Sequence, residues 1–499
     1  MISRRSAIIA GFLLVVVIAI TQYWTLIPGA SDGLSYLHVP LGTGKPESTT
    51  TVPPPKNPPF EAPKPESTAT MTSSIANPSP APTSAADNYP IDAKSVLSKE
   101  VQIYFDQVFS YANPPPQFDY PELRLTCEHT TWKPDVYLKC GGMSAGMTTI
   151  MSQIKTCFKM AVEGGVGLLL PSMPLRSSTN LQEFNFLNPD AYLDYEEWFD
   201  AEHLIEVMGR TCPKLKVVHP KQIKDGSVVV KDDWNIDIGK APGYVQFNSY
   251  FWAGRPFKPY FDEEVAKLQG VASMIPNHKE KPGISVITMG SQFLIFKVMD
   301  DPTGHDRRLW SDLGMLIRFK EEPREIVHRL LAEIERPYYG VHFRVENDTI
   351  WSSLENQLTV DLDALDLAWA KYGSPGAQKP LVYLACGDEG QVEKFVAAGK
   401  PRGWDVTHKW KLAKDAKDTK GLEMINNLAF DFMGAVDMGI MVKSEFFMGV
   451  IGSAFSSTIA NARDVTGRYR GSSFVVIDEG NARNHLFNDH DAGGYACCL

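Results

Sequence analysis

From about residue 135 the sequence alternates short apolar runs with amphipathic stretches, and this alternation limits the possible folds more than any other feature of the chain. DVYLKC reads as a strand and is followed by the glycine turn GGMSAGM. Ile150, Met151, Ile154, Cys157, Phe158 and Val162 then recur at helical spacing, and GVGLLL follows as a second buried strand. One βαβ unit results. The region from about 180 to 330 is rich in aromatics and helix signals but alternates less cleanly. Alternation returns with YYGVHFRV, a helix from Asp361 to Tyr372, PLVYLAC, a helix from Gln391 to Ala398, and WDVTHKW as a strand. A long helix from about Gly421 to Lys443 should bury Leu422, Ile425, Ala429, Phe432, Val436 and Ile440, before FFMGVI and FVVID close the set. The expected architecture is two doubly wound, Rossmann-like α/β domains, residues 96–335 and 336–499, facing a cleft. Ligands are expected at the carboxyl ends of the strands.

The amino-terminal region has a different composition. Arg4 and Arg5 precede an uncharged run that lasts until Asp32, with Tyr23 and Trp24 placed for a membrane interface. The reading is a cytosolic tail at 1–6, a transmembrane signal anchor at 7–27 and a disordered stem at 28–95. The rival is a cleaved signal peptide with the core Ala7 to Ile20 and a small-residue site near Pro28-Gly29-Ala30. Residues 41–90 hold 12 of the 35 prolines among many Ser and Thr, a linker composition open to O-glycosylation. In this layout the globular part is luminal, in a single-pass type II protein of the Golgi or ER membrane.

A net charge of -10 and the lack of any Lys/Arg run exclude nucleic acid as a partner, while a small anion held by one or two placed cations stays compatible. The seven cysteines include no CxxC pair, so a zinc site is not expected. Cys127 and Cys140 flank one strand entry and are the candidate bridge.

Three loops can carry chemistry. His342 and Arg344 fall on one face at the end of YYGVHFRV, where a guanidinium could hold a phosphate; the alternative is a surface salt bridge. GSAFSS, leading into a helix after Ser457, offers hydroxyls and free N–H groups to an anion; the alternative is an ordinary serine cap. CGGMSAGM has neither a P-loop nor a GxGxxG spacing, and a close-packed turn is preferred there.

Taken together, GVHFR, VDMGIMVKSEFFMGVIGSAFSS and YLKCGGMSAGM resemble the protein O-fucosyltransferase and related fucosyltransferase superfamily. The resemblance implies a GT-B fold, GDP-fucose as donor substrate, inversion, no cofactor or active-site metal, and a protein or glycan acceptor. It makes Arg344 the catalytic cation on the donor phosphate, with His342 two residues before it, and Asp437 the reader of the guanine edge. Ser453, Phe455 and Ser456 match the nucleotide loop, and Gly141 and Gly142 the glycine turn across the cleft. By this resemblance residues 96–335 form the acceptor-side domain and 336–499 the nucleotide-sugar domain. The chain departs from the pattern at Ala145, Gly146 and Met147, where the family carries an Asn. That departure keeps open a fucosyltransferase-like, membrane-anchored glycan or nucleotide-sugar binder without turnover. Glu346, Asp348 and Glu163 lie near the relevant loops, and none is assigned as base.

A metal-dependent transferase would need a D-x-D, and the candidates are Asp361 to Asp363 and Asp489 to Asp491. The first pair is read as serving a helix N-terminus. A serine hydrolase finds no GxSxG elbow. Asn347-Asp348-Thr349 is a glycosylation sequon, expected to be unmodified or to point away from the cleft.

Overall fold

The computed structural model describes residues 99–143, 146–174, 191–241, 250–252, 257–278, 281–290, 295–297, 303–345, 353–374, 376–450, 453–463, 472–476 and 483–486. The described residues all belong to one compact unit, residues 86–499. The expected tail, anchor and stem lie outside the described residues, as do Asn347, Glu346, Asp348 and the Asp489 to Asp491 pair. Among the described residues no helix is long and apolar enough to cross a membrane.

The first sheet contains β1 (Val136–Gly141), β2 (Gly167–Leu169), β3 (Val217–Val218), β4 (Val230–Asn235) and β5 (Ile284–Gly290). Its order is β3-β2-β1-β5-β4, and every pairing is parallel. After α1 (Lys99–Val108), the helix α2 (Met147–Gly164) makes the crossover from β1 to β2, and buries Ile150, Ile154, Cys157 and Phe158 as their spacing requires. Its end is fixed by Gly165, at φ +64°, whose N–H reaches the carbonyls of Ala161 and Val162. A Cβ at that position would stand 2.0 Å from the Thr131 carbonyl oxygen, so only glycine fits.

The second sheet contains β6 (Tyr338–His342), β7 (Leu381–Ala385), β8 (Asp405–Thr407), β9 (Phe446–Val450), β10 (Ser472–Val476) and β11 (Arg483–Leu486). Its order is β8-β7-β6-β9-β10-β11, parallel except for β10 with β11. Every residue of β6, β7 and β9 is buried, because helices cover both faces, and such strands read as unbroken apolar runs. Tyr339, Val341 and Phe446 pack with Leu362 and Leu365 of α4 (Leu354–Tyr372) and Phe395 of α5 (Glu389–Gly399). Tyr338, Tyr383 and Phe447 face the other way, into a cluster that continues through Phe432, Val436 and Ile440 to Leu138 and Ile154 of the first sheet's layer. One apolar core therefore runs through both sheets, and burying each such side chain contributes about 1.5–3 kcal/mol.

Several expectations are corrected. The single helix from Gly421 to Lys443 is two, α7 (Thr419–Asn427) and α8 (Phe430–Val442), separated by extended backbone at Leu428 and Ala429. Asn426 and Asn427 compete for backbone hydrogen bonds and favour a helix end there. WDVTHKW is a strand only over Asp405–Thr407; Lys409 and Trp410 open the helix α6 (Lys409–Asp415), which precedes α7. The helix holding Asp361 and Asp363 begins seven residues earlier than expected, at Leu354, with the Ser353 hydroxyl accepting from the Asn356 N–H. The carboxylates are thus mid-helix: Asp361 points inward, 1% exposed, and Asp363 pairs with Arg402 at 2.6 Å.

Cys127 does not pair with Cys140. Cys140 pairs with Cys157, because alternate residues of β1 face α2 and Cys157 lies on the helix face packed against it; Cys127 pairs with Cys212 at the end of the helix Ala201–Thr211. From the 85-residue separation, loop-closure entropy puts the Cys127–Cys212 bond at about 4.6 kcal/mol, against about 3 kcal/mol for the 17-residue loop. Cys127→Ser with Cys212→Ser should therefore lower the denaturant midpoint more than Cys140→Ser with Cys157→Ser. The reverse order would show that closure entropy does not rank them.

Candidate active site

In the second sheet the chain leaves β6 towards one edge and returns to β9 on the other side of it. The crevice beyond the carboxyl ends of these two adjacent strands is a topological switch point, where doubly wound proteins bind ligands. His342 ends β6, Arg344 lies two residues on, and Ser453 follows β9. All three line one cleft of about 210 Å³. Its opposite wall is the first turn of α2, Gly146 to Thr149.

The helix α9 (Ala454–Arg463) starts earlier than the sequence suggested. Ser453 precedes it, with its hydroxyl towards the Ser456 N–H at 3.4 Å and its carbonyl accepting from the Ser457 N–H. The serine is therefore a helix cap, and the same geometry aims the positive end of α9 at the cleft. Ser453, Ala454 and Phe455 line the wall. Ser456 does not: fully buried, it sits behind His342.

Ser456 sets the state of His342. Its hydroxyl oxygen accepts from the Val450 N–H at 2.9 Å and lies 2.9 Å from His342 Nδ1. Assigning the hydroxyl proton to Nδ1 places the imidazole proton on Nε2, a neutral donor. Burial, and then the charge of Arg344, push the His342 pKa down to about 3. The unfolded chain thus takes up this proton first as pH falls. The stability His342 contributes is complete above about pH 6.5 and is lost on the way down to about 3, by about 1.4 kcal/mol per pH unit. In urea titrations at pH 7 and 4.5, wild type should lose more stability than His342→Gln; equal losses would contradict a buried neutral imidazole.

Two sets of contacts were not legible in the sequence. Asp437, 5% exposed, receives a hydrogen bond from Tyr383 OH at 2.6 Å on one oxygen and an ion pair from Lys409 Nζ at 2.7 Å on the other. Burial raises its pKa, while Lys409 and Tyr383 pull it down. Lys409 was hidden because WDVTHKW alternates like a strand. Asp431, from α8, accepts the Met147 N–H at 3.2 Å, so a carboxylate of the second half caps the helix that forms the opposite wall. No local signal joins residues 284 apart.

Gly141 ends β1 and Gly142, at φ +70°, follows it; neither lines the cleft. Glu163 lies at the far end of α2 from the cleft and pairs with Lys159. Among the described residues no group of three or more His, Cys, Asp or Glu is arranged to hold a metal ion.

The fold and site define a doubly wound α/β protein with an anion-friendly crevice between two sheets. No family model and no curated protein matches the chain. Solved structures of fucosyltransferases are similar to it over most of its length. A POFUT1 complex with GDP aligns at 15% identity and a TM-score of 0.39, covering 70% of this chain and 99% of that one. An Arabidopsis thaliana FUT1 variant with GDP aligns at 10% and 0.37, covering 79% and 83%. NodZ from Bradyrhizobium aligns at 14% and 0.36, covering 71% and 99%.

Proposed function

We propose that this chain is a fucosyltransferase-type glycosyltransferase, which takes GDP-fucose as donor and delivers fucose with inversion, without a metal ion, to a hydroxyl of a protein or glycan. The observation that carries the proposal is the meeting of Arg344, the neutral His342 and the N-terminus of α9 at one switch point. Departure of a diphosphate develops negative charge, and a guanidinium fork, an imidazole N–H and a helix N-terminus are donors fixed in advance for it. Each Asp437 oxygen already holds one donor and retains a lone pair for the N–H groups of a guanine edge. The acceptor would enter from the α2 side. Two disulfides fit an oxidising compartment, which supports a luminal domain of a type II Golgi or ER protein.

A second reading, a nucleotide-sugar binder without turnover, is favoured by Asp431. Its carboxylate holds the first turn of α2, where the resemblance expects an Asn, and sets a negative charge on the acceptor wall. Release of GDP from GDP-fucose, with a panel of peptide and glycan acceptors, separates the two. Turnover that persists in EDTA supports the transferase; GDP binding without turnover supports the binder; activity that appears only with manganese overturns the metal-free mechanism. GDP-mannose in parallel tests the sugar.

A further inference from the structure

Arg344 lies beyond the last ladder residues of its strand. The Phe343 N–H still bonds the Ala385 carbonyl at 3.0 Å, and with that bond the pairing of β6 to β7 ends. The next residue is the one whose side chain must be aimed. Gln357, in the first turn of α4 and 3% exposed, meets its backbone there. With the amide turned to satisfy both contacts, the Gln357 side-chain oxygen accepts from the Arg344 N–H at 2.8 Å and its nitrogen donates to the Arg344 carbonyl at 3.0 Å. A side chain thereby supplies the pair of bonds that a neighbouring strand would supply. One turn further along α4, Asp361 is 1% exposed and hydrogen-bonded to Gln357, and burial raises its carboxyl well above the usual range. Asp361 thus backs the amide from the same helix.

We propose that Gln357, backed by Asp361, is a positioning residue: it clamps the Arg344 backbone and so aims the guanidinium at the diphosphate of a nucleotide ligand. The functional half of this proposal rests on the donor reading above. The clamp itself does not.

The alternative is that Gln357 is only a satisfied buried amide. A protonated carboxyl presents the same acceptor and donor as an amide, whereas an ionised one cannot donate. Gln357→Glu should thus keep the clamp only while protonated. Among the described residues, the titratable and charged groups that meet this position are Asp361 on its own helix and Arg344 on the strand end that it grips. Burial beside Asp361 raises the introduced carboxyl, so the clamp holds at low pH and is lost as pH rises through that value.

The test uses the full-length protein and GDP as probe. Relative to wild type at the same pH, Gln357→Glu should bind GDP with similar affinity near about pH 5 and at least about tenfold more weakly near about pH 8. Gln357→Leu should be weaker at both. In the ligand-free protein, hydrogen exchange of the segment containing Arg344 should be faster in folded Gln357→Leu than in wild type. Unchanged exchange, or GDP affinity unchanged in both variants, overturns the proposal; so does a Gln357→Glu to wild-type affinity ratio that does not move with pH. If wild type itself binds no GDP, the donor reading fails, and the exchange result alone supports or overturns the clamp.

Discussion

On the proposed function, Arg344→Ala should lower the rate of fucose transfer on the order of 100- to 1,000-fold, the usual cost of deleting one placed donor to developing negative charge. It should also remove the stabilisation expected of GDP on wild type. The reason is geometric: Arg344 is a cationic side chain at the carboxyl end of β6, on the same cleft as the N-terminus of α9. Arg344→Lys keeps the charge and loses the planar fork, and should recover only part of the rate. Because Arg344 is half-buried at a strand end, the Ala variant should fold, which circular dichroism checks. A folded Arg344→Ala protein that GDP still stabilises as it does wild type would move the phosphate site elsewhere.

Lys409→Met should destabilise the protein by about 3–5 kcal/mol, the range for removing one member of a buried ion pair. Lys409 is 2% and Asp437 5% exposed, so the remaining carboxylate would be left almost wholly buried. Its escape is protonation. Asp437 already has a raised pKa, and loss of Lys409 removes the largest influence pulling it down. A group whose folded pKa lies above its unfolded value contributes stability at low pH and loses it as pH rises. The cost of Lys409→Met should therefore be small near pH 4 and full at neutral pH. Adding Asp437→Asn should recover most of it, since the amide still accepts from Tyr383. Urea titrations of the single and double variants at both pH values measure this; a cost independent of pH, or no recovery in the double variant, would show that Lys409 acts through packing against the Trp410 ring, 4.2 Å away.

The second sheet was legible because its inner strands are buried on both faces and so read as unbroken apolar runs bounded by turns. His342, Arg344 and the loop at Ser453 were legible for the same reason: they stand where those runs stop. Asp437 was singled out through its motif, but its partners were not, since Tyr383 and Lys409 come from other elements. Lys409 was obscured by local pattern, because Trp404, Val406, His408 and Trp410 alternate like a strand although the chain turns helical after three residues. Asp431 and Gln357 had no sequence signal at all. Each bonds a backbone group of a distant segment, and a backbone group is the same at every position. The disulfide partners were missed likewise: flanking one strand says nothing about which helix face that strand meets.

A calorimetric titration of the wild-type protein with GDP in EDTA, with ADP and UDP as controls, is the most direct test of a guanosine diphosphate site at this switch point. The expected result is saturable, one-site binding of GDP, weak or no binding of the other two, and loss of the heat in Arg344→Ala. Equal binding of all three nucleotides, or none of GDP, would contradict it.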